Sequence, residues 1–293
     1  MKREEDNVFL LDMAEWKLDE EPWHSEEELL RIDRSCRRRL GYPMRGTIQP
    51  WTLPCTEEKH DLRLRFTIRS KIELSGLWLG SEAGADILWN GEAVPPNSDG
   101  FYVDRAIRRI HLPKLKKGIN CLELTIPFTM RDGPENLYLL GDFDVEVRGC
   151  KKAAIPFRRK YAFGNAASQG MPFYGGNLRY CMDFESKGES AKVSVWHYRG
   201  AVIKAFLDGA FAGYIAFEPY QLYLPHIGRG KHHLELVLYG TRINTFGSVH
   251  NADTSVVRFG PPVWQTEQSA WSYEYRLKET GILSSPIIEV FEE

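Results

Sequence analysis

From residue 60 onward the chain alternates. Leu62, Leu64, Phe66 and Ile68 are apolar, and Arg63, Arg65, Thr67 and Arg69 stand between them or follow. A period of two predicts a strand with one wet face. The same reading predicts strands at Gly76–Leu79, Asp86–Trp89, Ile107–Leu112, Cys121–Ile126 and Leu137–Val147. Turn signals separate them: Asn90-Gly91, Pro95-Pro96, Lys117-Gly118 and Asp132-Gly133-Pro134. Short strands at close spacing predict an all-β sandwich or barrel.

Residues 1–58 read differently, as a leader. Val8–Leu11, followed by Asp12, suits a short strand. Ser25 and Glu28 have the spacing of a capping box, and Leu29, Ile32, Cys36 and Leu40 follow at helical intervals. Gly41 and Pro43 supply the stop, so a helix is expected over about 26–40. Its basic run, Arg37–Arg39, complements the helix dipole on a solvated face rather than marking a phosphate patch.

The strand grammar then repeats. Ile87–Gly91 leads to Ile110–Pro113 and to Lys117–Leu124. Ala205–Gly209 leads in the same way to Leu222–Pro225 and to Arg229–Leu236. Each block reads as an apolar strand, an Asn/Asp-Gly turn, a strand ending in Leu-Pro, a basic-Gly turn and an alternating strand. A repeat of about a hundred residues is too long for a solenoid. It predicts two copies of one sandwich, divided as leader 1–58, first sandwich 59–150 and second sandwich 151–293.

Composition narrows the classes. The 293 residues are 43% hydrophobic and 27% charged, with net charge −2, which exerts no global pull towards nucleic acid or anionic lipid. No stretch approaches ~18 apolar residues, so no membrane span is expected. The first residues lack the apolar core of a signal peptide. Five cysteines, none in a C-x-x-C pair, argue against a disulfide framework and against a zinc site, and read as buried or semi-buried thiols. A cytoplasmic location is expected if the chain is complete as given.

The string from Asn90-Gly91 through Leu112-Pro113 to Gly118-Ile119-Asn120 resembles the galactose-binding-like jelly roll. In particular it is similar to the sugar-binding domain of family 2 glycoside hydrolases and to matching modules of rhamnosidase-like enzymes. The second copy keeps the pattern with Asp208 for Asn and His232 for Asn120. Glu135–Phe143 resembles a stretch of large bacterial glycosidase-like proteins, in which tandem sandwiches follow a catalytic barrel. The leader (Leu10–Glu15, Gln49–Trp51) and the tail (Trp271–Leu277, Gly281–Leu283) resemble the connections to that barrel. The resemblance implies a fold and a carbohydrate context. This chain leaves no room for the barrel, which needs about 250 residues.

Familiar catalytic and nucleotide motifs are absent. Paired carboxylates for glycoside hydrolysis, about 5–9 Å apart, could come from Glu135, Asp142 and Asp144 or from Asp183 and Glu185. Each i, i+2 pair shares a strand face, which reads as a wet surface. His232 and His233 fall on opposite faces of one strand and cannot chelate together. A structural calcium, frequent in the resembled sandwiches, is the one cofactor to consider. Sugar contact needs a flat aromatic face with amides and carboxylates near it. Loop aromatics offering one are Trp51, Tyr102, Tyr174, Trp264 and Trp271, while Trp78, Trp89 and Trp196 are expected in the core. The loop Asn244–Asn251 with His250, and Glu135-Asn136 at the comparable place in the first copy, complete the candidate set. Phe173–Gly176 and Gly260–Trp264 place the expected site in the second sandwich.

These readings converge on two tandem jelly-roll sandwiches acting as a non-catalytic carbohydrate-binding or accessory module of a glycoside hydrolase, or as a stand-alone relative. The expected partner is a glycan or a glycoside hydrolase catalytic domain. Two alternatives remain, a purely structural scaffold and a minimal glycoside hydrolase.

Overall fold

The computed structural model describes residues 1–44, 58–82, 86–188, 190–253, 255 and 264–291. Among the described residues strands make up 48% and helices 9%, an all-β fold with one long helix near the N-terminus. In chain order the elements begin with β1 (Lys2–Arg3), β2 (Asn7–Leu11), β3 (Met13–Leu18), β4 (His24–Glu28) and α1 (Leu29–Leu40). Next come β5 (His60–Ser70), β6 (Leu77–Ser81), β7 (Asp86–Trp89), β8 (Glu92–Val94), β9 (Ser98–Tyr102) and β10 (Asp104–Leu112). They are followed by β11 (Gly118–Phe128), β12 (Leu137–Gly141), β13 (Asp144–Arg148), β14 (Lys151–Ile155), β15 (Leu178–Ser186) and β16 (Ser190–Ser194). The last are β17 (Tyr198–Arg199), β18 (Ile203–Leu207), β19 (Ala210–Ile215), β20 (Gln221–Leu224), β21 (Gly230–Leu238), α2 (Ile243–Phe246), β22 (Gly281–Ile282) and β23 (Ile287–Phe291).

Two compact units emerge, interleaved along the chain rather than consecutive. The larger comprises 8–156 and 247–276; the smaller comprises 1–7, 157–246 and 277–293. In the larger unit the eight-stranded sheet runs β13-β14-β5-β11-β7-β8, with β3 paired to β5 and β4 paired to β3, and the five-stranded sheet runs β2-β12-β6-β10-β9. In the smaller unit the sheets are β1-β15-β21-β18-β19, β20-β16-β23 and the short pair β17-β22.

The strand order reveals the repeat. The path β5-β11-β7-β8 in one unit matches β15-β21-β18-β19 in the other, and β12-β6-β10 matches β23-β16-β20. The turns agree atom by atom. Asn90 and Gly91 have φ of 51° and 85°, and Asp208 and Gly209 have 50° and 82°, the both-positive signature of a tight type I′ hairpin. Asn90 Oδ1 accepts from Cys121 N at 2.9 Å, and Asp208 Oδ1 accepts from His233 N at 2.8 Å. After the paired strands, Ser70 Oγ donates to Ile72 O, and Ser186 Oγ donates to Gly188 O.

In the smaller unit one core holds Leu178 and Tyr180 of β15, Ala205 of β18 and Leu236 of β21 together with Val193 of β16 and Leu224 of β20. Two sheets sharing one core make a sandwich. In the larger unit Leu62, Leu64, Phe66 and Ile68 of β5 are buried as their alternation requires.

Several expectations change. The leader is not a separate piece: β2 enters one sheet of the larger unit, and β3 and β4 enter the other. Ser25 lies exposed in β4, and Glu28 itself is the N-cap, accepting from Leu30 N and Arg31 N, so the helix starts at Leu29. Gly41 ends it in the left-handed region at φ 68°. Arg37 is not solvated; it is fully buried, its Nε 2.9 Å from Asp33 Oδ2, and it donates to Met130 O at 2.8 Å. The expected strand 137–147 is two strands in different sheets, separated by Asp142 and Phe143. Asp142 is exposed while Asp144 is buried, so they share no face. Trp196 is 58% exposed, not core, and Cys150 and Cys181 are exposed thiols. Trp51 and Cys55 lie outside the described residues.

Candidate functional site

The larger unit buries a cluster of ionisable groups. Asp12 sits between β2 and β3, where the chain leaves one sheet for the other. Lys152 projects from β14, and its Nζ lies 2.5 Å from Asp12 Oδ1. Tyr275 donates its hydroxyl to the same oxygen at 2.7 Å, and His250 Nε2 reaches Asp12 Oδ2 at 3.1 Å. The far side of the imidazole is held by Ser272 O, 2.8 Å from Nδ1. Lys152 also donates to Leu10 O at 2.5 Å. A buried charge persists only when paired and hydrogen-bonded, and here each is.

Burial alone would raise the Asp12 carboxyl, but the Lys152 charge and the His250 hydrogen bond hold it far below the usual carboxylate range. Burial lowers Lys152, with Asp12 pulling the other way. For His250 burial would lower the value; the hydrogen bond and charge of Asp12 outweigh it, and the imidazole is raised. Glu28 behaves oppositely to Asp12. Burial pushes it up to about 7, against the two helix N–H groups that favour its ionised form.

Beside this cluster opens a small pocket of about 30 Å³. Its wall combines Asp12 and Glu28, Leu30 of α1, Asn136, the loop Gly247–Asn251, Trp264, Gln265 and Trp271. The late segment is anchored by Arg276 N donating to Val249 O at 2.7 Å and Ser272 N donating to His250 O at 2.8 Å. Gln265 N donates to Asn251 Oδ1 at 2.9 Å. The Trp271 ring stacks on His250, centroids 5.4 Å apart, and Arg31 lies 4.4 Å from its centroid. Trp271 is therefore occupied by packing. Trp264, half-buried at the wall, is the aromatic surface left for a ligand.

Of the residues singled out from sequence, the structure brings Asn136, His250 and Trp264 to this one pocket, with Glu135 next in the chain to Asn136. It does not bring Tyr174 or Asn244 there. Tyr174 is buried in the smaller unit, its hydroxyl accepting from Glu4 N and donating to Asn177 O. Asn244 is buried and brackets Lys278 through both its N–H and its carbonyl. Gly175 beside Tyr174 is a packing glycine: a Cβ on it would lie 2.4 Å from Arg242 Cα. Tyr102 is buried against Tyr138. The expected location also changes. His250 and Trp264 come late in the chain, yet segment 247–276 belongs to the larger unit. Asp12, Lys152, Tyr275 and Gln265 went unread as site residues in the sequence, Asn251 entered only as the end of the candidate loop, and Glu28 was read only as a cap.

Among the described residues, the group of three or more side chains able to hold a metal is Cys181, His233 and Glu235. A thiol and an imidazole do not suit calcium, which takes oxygen donors. No helix among the described residues is long and apolar enough to cross a membrane.

No family model and no curated protein matches the sequence. Among solved structures the chain is similar to a rhamnosidase from Novosphingobium sp. PP1Y, at 14% identity and TM-score 0.32, covering 80% of this chain and 23% of that one. It is similar to a β-D-mannosidase from Dictyoglomus thermophilum at 12% identity and TM-score 0.29, with 80% and 31% coverage. An anti-sigma factor domain-containing protein from Clostridium clariflavum follows at 10% identity and TM-score 0.23, with 80% and 90% coverage. The chain thus spans less than a third of the length of the two glycosidases. Likenesses this loose carry no argument about activity.

Proposed function

We propose that the larger unit is a carbohydrate-binding module whose site is the pocket between the N-terminus of α1 and the loop Gly247–Asn251. The observation that carries this reading is the pocket's donor set around one available indole. Trp264 offers a flat face for the C–H side of a sugar ring. Asn136, Asn251 and Gln265 offer amides, and Glu28 offers a carboxyl that can donate or accept near neutral pH. A few convergent polar groups beside an aromatic surface, on largely pre-formed walls, are what small polar ligands require. The Asp12 cluster beneath fixes His250 and so the shape of the floor.

A hydrolytic reading has one observation in its favour: Glu28 and Asp12 line the same pocket with their carboxyls pushed in opposite directions, the arrangement that separates an acid from a base. Against it, three donors already hold Asp12, leaving it no freedom to activate water or attack a sugar.

A glycan array probed with the purified chain, with and without calcium, followed by calorimetry on the strongest ligand, tests the binding reading. Trp264→Ala is expected to weaken that ligand tenfold or more, and Asn136→Ala to weaken it less. A blank array from folded protein, or a ligand indifferent to Trp264→Ala, would sink it. Steady release of reducing sugar that stops in Glu28→Gln would favour the hydrolytic reading instead.

A further inference from the structure

On the smaller unit, β15 and β21 pair in antiparallel register with Cys181 opposite Glu235 and Asp183 opposite His233. Period two puts Cys181 and Asp183 on one face of β15, and His233 and Glu235 on one face of β21. Four donor side chains therefore occupy a two-by-two block on the solvent side of the sheet. One ligand atom each from Cys181, His233 and Glu235 lie within 4.8 Å of one another.

We propose that Cys181, His233 and Glu235 form a binding site for a zinc-class divalent transition metal, with Asp183 as the positioning residue for His233. Asp183 Oδ1 lies 2.6 Å from His233 Nδ1. That bond keeps the proton on Nδ1 and turns the Nε2 lone pair outward, the arrangement found behind metal-bound imidazoles. Nε2 faces Glu235 Oε1 at 3.6 Å. Tetrahedral zinc with bonds of about 2.0–2.3 Å holds its ligand atoms about 3.5 Å apart. The imidazole and carboxylate are already at that spacing, and the exposed Cys181 has the rotamer freedom to close the rest. A sulfur, a nitrogen and an oxygen suit zinc rather than calcium or magnesium. Three protein ligands on an open face leave the fourth position to water. Binding displaces the Cys181 thiol proton to solvent, and the metal–thiolate bond takes its place.

The other copy of the fold supplies the contrast. Aligned on the Ser70–Gly118 and Ser186–Gly230 pairs, Cys121 stands where His233 does, Glu123 where Glu235 does, and Arg65 where Cys181 does. There the Arg65 guanidinium fills the block, its Nε 3.4 Å from Glu123 Oε1. In the smaller unit a thiol replaces that fixed cation. The neighbouring Arg179 engages Glu235 through Oε2 and is itself held by Glu4, which leaves Oε1 towards His233.

The test is a calorimetric titration of the reduced, tag-free chain with zinc, paired with a cobalt(II) titration read by thiolate-to-metal charge transfer. One equivalent is expected, weakened at least a hundredfold in Cys181→Ser and in His233→Ala. Asp183→Asn should weaken it by about 10–100-fold while keeping the charge-transfer band. Cys150→Ser, at the other exposed thiol among the described residues, should leave binding unchanged. In the unmodified chain, zinc should protect Cys181 from alkylation, mapped by mass spectrometry, a readout that needs no variant to fold. Absence of stoichiometric binding, binding that survives Cys181→Ser and His233→Ala, or alkylation of Cys181 with zinc bound would each overturn the proposal. None of these outcomes depends on whether the pocket of the larger unit binds sugar.

Discussion

Glu28 caps α1 with both carboxylate oxygens and at the same time lines the pocket. Its folded value of about 7 stands above its ordinary 4.5, so between those pH values the folded state holds a proton that the unfolded state has released. Stability therefore falls as pH rises through that window, by about 3 kcal/mol if the whole shift is expressed. His250, also raised, acts in the same sense: its contribution is complete below about pH 6.5 and is lost as pH climbs through the folded value. Asp12 is depressed, so its contribution is present above the ordinary carboxylate range and is lost only on acidification below it. Thermal unfolding of the larger unit followed from pH 4 to 8 should show a falling midpoint. In Glu28→Gln the part of that fall below about pH 6.5 should vanish; an unchanged slope there would refute the assignment. Asp12→Ala strands Lys152 buried without its counter-charge and should cost about 3–5 kcal/mol, seen as a collapse of the same transition. Little of this cluster was legible beforehand. Residues 12, 28, 152, 250 and 275 share no local period, and only the sheet crossings bring them together. The one local hint is Asp12, a charge closing the apolar run Val8–Leu11.

Among the elements, the hairpins were the most readable, because Asn-Gly and Asp-Gly state a backbone conformation directly. The two turns adopt it with matching angles and matching hydrogen bonds to the neighbouring strand. Asn90→Ala puts a Cβ without a local hydrogen bond into the left-handed region and loses the acceptor for Cys121 N. About 2 kcal/mol is expected in the unfolding of the larger unit. Asp208→Asn should keep the turn, since Asn90 shows that an amide oxygen can accept from the strand N–H, and should lose only the exposed pairing of Asp208 Oδ2 with His232 Nδ1; a loss in the smaller unit well beyond about 1 kcal/mol would break the equivalence of the copies. The helix was readable in its stripe and in its Gly41 stop but not at its start. Ser25 and Glu28 satisfy the capping-box spacing, yet β4 pairs with β3 up to Glu28, opposite Met13, so strand pairing claims the residues that the box would use. Arg37 escaped for a similar reason. A basic residue in the last turn suits the dipole wherever it points, and only the packing of the Met130–Asp132 segment puts it inside.

For the whole molecule, the division into units follows contact rather than sequence order. A fragment of residues 1–150 ends before Lys152 and lacks both His250 and Tyr275, leaving Asp12 without its three partners. It should show no cooperative thermal transition by circular dichroism; a sharp transition would contradict the interleaved architecture. The repeat announced two sandwiches but not which segments complete each, because a late segment can return to an early unit without leaving a local pattern. The chain passes between units four times, after residues 7, 156, 246 and 276. During synthesis the larger unit must therefore wait: its first 149 residues, Val8 to Pro156, emerge well before its closing segment 247–276. At about 5–20 residues per second that interval is on the order of 10 s. Throughout it Asp12 has no imidazole beside it and the pocket has no far wall. Folding one unit and then the next is closed to this chain. Both units reach completion only once segments 247–276 and 277–293 have emerged, so the nascent protein depends on late closure, and a ribosome stalled before residue 276 would carry two unfinished sandwiches instead of one finished one.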